Sequence, residues 1–382
     1  MNFDLTEEQQ MLNDSLRRFV TNEYSFEKRE AIISSGAGID RATWANFASM
    51  GLLGFTFPED YDGLGGNAID TMVVMENFGR GLVVEPYLAT VVLAGGLIRD
   101  AGNDAQKADV LPGIASGERL LALAHSEPGA RYNLSQVQTT ARKDGDHFMI
   151  SGQKTAVLHG GQADQLIVSA RTSGGIADES GLSLFLVDAK AKGVRVDDFA
   201  THDGHRTAEI SLSNVAVSAD NLIGTIDEAF PVIEKAMDLG IAALCAEAVG
   251  AMEAMNATTL EYIKTRKQFG VPIGKFQVLQ HRMADMFIQT EQAKTMAILA
   301  ASEADSGDRA CRREAISMAK TLVGQAARYV GQEGVQLHGG MGVTDEMFAA
   351  HLFKRLTLIN LLFGDADHHL AQVSDNLLAA SA

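Results

Sequence analysis

Residues 333–343 read EGVQLHGGMGV and place four glycines in eleven positions, near the end of a long stretch of helical periodicity. Each Gly inside a helix costs about 1 kcal/mol relative to Ala. Backbone N–H groups bared at Gly339, Gly340 and Gly342 can approach an anion with no side chain in the way. Gln336, one helical turn earlier, reaches the same ligand. A tight helix–helix turn accounts equally well for the glycines alone. The segment is neither a P-loop nor a Rossmann fingerprint, because no strand precedes it and the Lys-Ser/Thr ending is missing.

Two further segments carry chemistry-bearing residues. In TRKQFGVPIGKFQ (265–277), Arg266 and Lys267 fall where a helix ends. Cations there suit the negative end of the dipole, while the planar fork of Arg also suits a phosphate. A capped helix with a Gly-Val-Pro turn, and with Phe269 and Ile273 in the core, is the plainer alternative. SEPGARYN (126–133), followed by SGQKTAVLHGGQADQLIVSAR (151–171), forms a third polar cluster that alone would pass as a loop. No His spacing suggests a metal site; His159, His338, His368 and His369 are expected to be structural or exposed.

The elements that must position these residues fall into three regions: a helical segment 1–120, a β segment 121–223 and a helical segment 224–382. In the first, Thr6 and Gln9 form a capping box ahead of a helical repeat, 51–66 is a loop rich in breakers, and 69–82 is helical. Strands are expected at 143–151 (after a hairpin turn), 166–171, 182–187 and 207–213. Beyond 227, Met237, Ile241, Leu244, Ala248, Met252, Met255 and Ile263 mark one buried helix face. Further helices are expected at 276–305, 311–332 and 346–361, and four long helices with short joins make a bundle. The fold class is therefore mainly α with a central β-barrel-like domain, between an N-terminal helical domain and a C-terminal four-helix bundle.

The chain has 382 residues, enough for more than one core, with 46% hydrophobic and 21% charged residues. Its formal net charge of −17 argues against nucleic-acid partners and anionic membrane surfaces. The only cysteines, Cys245 and Cys311, lie far apart, which suits a reducing compartment and excludes a Cys-type metal site. No secretory signal or membrane span is expected, so the expected location is cytoplasmic.

Taken in order, the helical–β–helical plan, SEPGA, GQK…G…AD, RKQFGVPIGKFQVLQHRMADM and VQLHGGMGVTDE resemble the acyl-CoA dehydrogenase family of flavoproteins over the whole chain. The resemblance implies FAD between the β domain and the bundle, with a neighbouring subunit reaching across to hold its ADP half. The matching positions are Arg266 and Phe269 on one arm, and Gln336, Gly339 and Gly340 on the other. Ser126 keeps a hydroxyl where the family has Thr. The implied substrate is an acyl-CoA and the implied electron acceptor an electron-transfer flavoprotein. The assembly would be a homo-oligomer, or a heterotetramer with a homologous subunit.

Several positions depart from the family. Its catalytic Glu, in a YEGT-like segment, aligns with Phe363; the alternative position used by some members aligns with Gly240. Glu247, the only charged residue between Leu239 and Met252, lies two helical turns after Gly240. It is the candidate base, with a carboxylate raised toward neutrality by its apolar setting; a buried Glu satisfied by an Arg across the bundle is the equal alternative. Asp365 is a second candidate, or a helix cap. Arg131 and Tyr132 replace small residues, and Ala156 stands where the family has Trp. Intact arms beside an altered flavin cradle suggest one half of a heteromeric dehydrogenase, lending Arg266 and Gln336 to a partner's FAD, and a non-catalytic subunit of this kind is the alternative to an active one.

Overall fold

The computed structural model describes residues 5–381. Backbone packing divides the chain into two compact units, each assembled from separated stretches: residues 1–31, 68–83 and 241–382 form one, and 32–67 with 84–240 the other.

The first unit is helical. It contains α1 (Glu7–Asn22), the start of α2 (Phe26–Ser35), α4 (Ala68–Gly81) and most of the 36-residue α7 (Phe230–Thr265). It also holds α8 (Gln277–Ala304), α9 (Arg309–His338), α10 (Phe348–Leu361) and α11 (Ala366–Ser381). The capping box expected at Thr6 and Gln9 opens α1. Asp308 accepts hydrogen bonds from the N–H groups of Ala310 and Cys311, which starts α9 two residues before the periodicity alone indicates. α9 packs against α8, α10 and α11. The bundle thus has the four long helices expected and one more, α11. Every residue of the expected face of α7 from Ile241 to Ile263 is buried.

Glycines set the closest approach in this unit. A Cβ at Gly79 of α4 would sit on the backbone carbonyl of Glu247, and one at Gly250 of α7 on the carbonyl of Glu76. Two helices that cross at backbone contact need Gly on both sides. Fully buried Arg29 fastens α2 to the same unit: its Nε donates to the Leu82 carbonyl at 3.0 Å and its Nη1 to His351 Nδ1 at 3.1 Å. His351 Nε2 in turn donates to the Asp345 carbonyl at 2.9 Å, so the partners fix the tautomer.

The second unit holds α3 (Arg41–Ser49), a π-helical segment Tyr87–Gly95, α5 (Gly96–Ala101), α6 (Asp104–Ala115) and an eight-stranded sheet. The strands are β1 (Leu121–Ala124), β2 (Thr140–Asp144), β3 (His147–Leu158), β4 (Gln165–Arg171), β5 (Leu182–Asp188), β6 (Val194–Ala200), β7 (Arg206–Ser218) and β8 (Leu222–Ile223). Their order is β6-β7-β3-β2-β4-β5-β8, with β1 parallel to β4. Phe148, Ile150, Val168, Phe185 and Ile210 anchor one apolar core. The four expected strands are present. β1 and β6 escaped the sequence because four buried residues, and a strand that is mostly exposed, show no alternation. A short hairpin, β9 (Lys267–Gln268) with β10 (Val271–Pro272), follows α7. No described helix is long and apolar enough to cross a membrane.

Because the α4–α7 crossing leaves no room for a methyl group, Gly79→Ala or Gly250→Ala lowers unfolding stability by about 3 kcal/mol, at the upper end for overpacking; chemical denaturation checks this.

Candidate functional site

β1 ends in the SEPGARYN segment, and a buried ion pair holds that segment in place. The Glu127 carboxylate accepts from Lys154 Nζ at 2.7 Å and from the backbone N–H groups of Gln138 at 2.6 Å and Thr139 at 3.0 Å. Lys154, fully buried on β3, also donates to the His125 carbonyl at 3.1 Å and Ser169 Oγ at 3.0 Å. Burial pushes the Lys154 ammonium down to about 8, opposed by Glu127. For Glu127, burial favours the neutral acid, but Lys154 and the N–H donors outweigh it and the net shift is downward. Burial and the Lys154 charge drive His125 to about 3, so its ring is neutral; its Nδ1 lies 2.9 Å from Ser169 Oγ, which also accepts from Lys154.

On this frame Ser126 is half-buried, and its carbonyl accepts from Thr155 N–H at 2.9 Å. Arg131 is exposed with φ +49°, and Ala156 is exposed with φ +51° where the β3–β7 register shifts. These are left-handed conformations that non-Gly residues enter at a cost. The sequence named the two motifs but not the bond between them: the Glu of SEPG and the Lys of GQK were both in view, and nothing in their spacing paired them.

The two arms expected to grip a cofactor both lie in the helical unit. Arg266 is exposed just past the end of α7, and its side chain makes no ion pair among the described residues. Phe269 is 90% exposed with φ +54°, followed by Gly270 at φ +81°. Two successive positive φ values are the signature of a primed hairpin turn, whose first position favours Asn or Gly over Phe. The turn therefore displays a large apolar ring at a conformational cost, and the alternative that Phe269 fills the core does not hold.

On the second arm, EGVQLH stays helical and the break comes only at Gly339, with φ +61° and ψ −141°. Nothing lies within 4 Å of where a Cβ would sit on Gly339 or Gly340, whereas Gly334 and Gly342 are packed against Met255 and against Val335 with His338. The four glycines divide into two for packing and two that leave the backbone open. Gln336 is exposed.

Glu247 has a different setting from the arms. It is buried, and Arg355 of α10 grips it through two bonds, Nε to Oε1 at 2.5 Å and Nη2 to Oε2 at 2.7 Å. The expected unpaired carboxylate in apolar surroundings is not what the chain builds; of the two alternatives, the Arg partner across the bundle is realised. Asp365 Oδ1 accepts from His368 N–H at 2.8 Å and caps α11. Gly240 is buried, and Phe363 sits at φ +58° in the turn before α11. His338 and His369 are buried, His369 donating to the Phe363 carbonyl at 3.1 Å.

The acyl-CoA dehydrogenase N-terminal domain matches residues 6–118, the middle domain 122–215 and the C-terminal domain 228–378. The chain belongs to the acyl-CoA dehydrogenase family. Its members are FAD flavoproteins and oxidoreductases of acyl-CoA thioesters, so SEPGARYN and the two arms sit in the sequence of an FAD enzyme. A probable acyl-CoA dehydrogenase of Bacillus subtilis is 30% identical, with 99% of this chain and 100% of that one covered. A chain in the structure of the electron transferring flavoprotein of Acidaminococcus fermentans is 30% identical at a TM-score of 0.91, covering 99% and 100%. A chain of the ChsE4-ChsE5 complex from Mycobacterium tuberculosis is 26% identical at a TM-score of 0.88, covering 99% of each.

Two outcomes test this account. Glu127 contributes stability that is complete above its ordinary value of 4.5 and is lost as pH falls through its lower folded value. Denaturation midpoints measured from pH 7 to 3 should show Glu127→Gln less stable at neutrality and less sensitive to acid. Phe269→Asn should stabilise the isolated chain by up to about 1 kcal/mol by relieving the turn, while weakening flavin retention or assembly, read by thermal melting and native mass.

Proposed function

We propose that this chain is a subunit of an oligomeric acyl-CoA dehydrogenase in which it lends Arg266, Phe269, Gln336, Gly339 and Gly340 to the FAD of a neighbouring subunit. The carrying observation is the contrast between these exposed groups and Glu247, which is spent on Arg355. An exposed guanidinium suits a pyrophosphate. The open backbone at Gly339 and Gly340 suits the same anion, the exposed amide of Gln336 adds donors and an acceptor, and the displayed Phe269 ring suits an apolar contact across an interface. These residues fit an adenine dinucleotide. Ser126, on the frame built by Glu127 and Lys154, is the β-domain contact that an active chain holding its own FAD would use.

In the complete enzyme, bound FAD supplies the acceptor for the hydride that leaves the β carbon of the acyl chain, and the electrons pass on to an electron-transfer flavoprotein. A carboxylate must take the α proton, because the α C–H is too weak an acid to ionise in water. Neither Phe363 nor Gly240 supplies one, Asp365 caps a helix, and Glu247 is engaged. On this reading the base comes from the partner subunit, and the assembly is a heteromer of homologous chains. The similarity to a chain of the ChsE4-ChsE5 complex supports a heteromeric arrangement.

The second reading is an active chain with Glu247 as its base, favoured by the burial of this carboxylate on α7 two turns after Gly240. Glu247→Gln separates the two. As base, Glu247 predicts turnover per folded, FAD-loaded enzyme reduced by orders of magnitude, whereas a purely structural Glu247 leaves that turnover unchanged. As the partner of Arg355, it predicts a loss of about 3–5 kcal/mol in stability from an unpaired buried guanidinium. The lending reading further predicts that the chain purified alone is colourless, and that it turns yellow on co-expression with a homologous subunit. A yellow homo-oligomer with one FAD per subunit that oxidises an acyl-CoA would overturn it.

A further inference from the structure

The two arms are far apart in sequence yet joined through one ring contact, with His338 buried and Tyr262 half-buried, that neither the cofactor reading nor the fold accounts for. The ring of Tyr262 stacks on that of His338, centroids 4.4 Å apart and planes 28° apart. Tyr262 lies one turn before Arg266, whose N–H donates to the Tyr262 carbonyl at 2.8 Å. His338 is the residue immediately before Gly339, where the helix breaks. The stack therefore ties the last turn of α7 to the last turn of α9.

The imidazole is fixed on its other side as well. Its Nδ1 lies 2.8 Å from the Gly334 carbonyl, which only accepts, so Nδ1 carries the proton and donates. Burial lowers the tendency of this ring to protonate further. A Cβ on Gly342 would come within 2.9 Å of His338 Cβ and 2.7 Å of the Val335 carbonyl, so the glycine turn packs against the base of the His338 side chain. A Cβ on Gly334 would collide with Met255 of α7, which keeps the two helices close at this level. Nε2 is buried and has no hydrogen-bond partner. A buried acceptor left unpaired is unfavourable, and a Phe at this position would stack on Tyr262 without that cost. The imidazole is kept for its directed Nδ1–H, which sets the rotation of the ring against Tyr262.

We propose that His338 is a positioning residue of the cofactor grip, clasping the end of α9 to the end of α7 so that the Gly339–Gly340 backbone and the Arg266 guanidinium present one register to the pyrophosphate. This rests on the reading that the two arms hold FAD. Thermal stability is governed by the packing of the ring; cofactor affinity is governed by its orientation.

The test uses the full chain in the assembly that binds FAD, alone or with its co-expressed homologous subunit. The apo-protein is titrated with FAD by flavin fluorescence, and melting is recorded in parallel. His338→Phe should melt no lower than the wild type yet bind FAD about tenfold more weakly. Tyr262→Phe, which keeps the stack, should match the wild type. Tyr262→Ala should weaken FAD binding in the wild-type background and add little in an Arg266→Ala background, the coupling expected of a residue that acts through another. Unchanged FAD affinity in His338→Phe, or an equal loss from Tyr262→Ala in both backgrounds, would overturn the clasp while leaving the two-armed grip standing. If Arg266→Ala has no effect on FAD affinity, the grip itself fails and the clasp falls with it.

Discussion

The β unit depends on one buried charge pair. Glu127 and Lys154 sit almost wholly out of solvent, where two ions are tolerated only if every donor and acceptor is used. Here the two N–H groups of Gln138 and Thr139, the His125 carbonyl and Ser169 supply the remaining bonds. Removing either partner leaves an uncompensated charge in the interior, so the pair specifies which loop lies beside which strand more than it adds net stability. The consequence reaches outward: Ser126 is adjacent to Glu127 and Ala156 is two residues from Lys154, so both are held by a bond between their neighbours.

The helical unit uses a different device. Its glycines bring backbones into contact at Gly79 with Glu247 and at Gly250 with Glu76. Close helix packing of this kind is rigid because nothing at the contact has rotamers to change. It provides a fixed base from which the hairpin at Phe269 and the turn at Gly339 project. Both projections carry backbone conformations that side chains avoid, and both end in groups that make no internal ion pair. A strained, displayed ring at Phe269 and open backbone at Gly339 and Gly340 on one unit suit a ligand or a second subunit.

The pairing of Glu247 with Arg355 bears on chemistry as well as packing. A general base must be free to reach a substrate proton, whereas a carboxylate held at both oxygens by a buried guanidinium is committed to the fold. The chain thus retains the cofactor arms of its family while spending Glu247 on structure, which is why the proposed division of labour assigns the base to another subunit.

The sequence alone determined the order of helical and β regions, the four principal strands, the buried face of α7 and the capping box at Thr6, because each follows from local periodicity or a short-range bond. Its motifs also singled out Arg266, Phe269, Gln336, Gly339 and Gly340. Only tertiary structure decided which glycines pack and which stay open, that Phe269 is displayed and not buried, that Glu247 meets Arg355 across 108 positions, and that Tyr262 stacks on His338. A residue's type and spacing fix what it can bond to, but the partner of a buried charge or an aromatic ring is chosen by which helices cross and where. That choice is made by the summed packing of the whole unit and leaves no local mark.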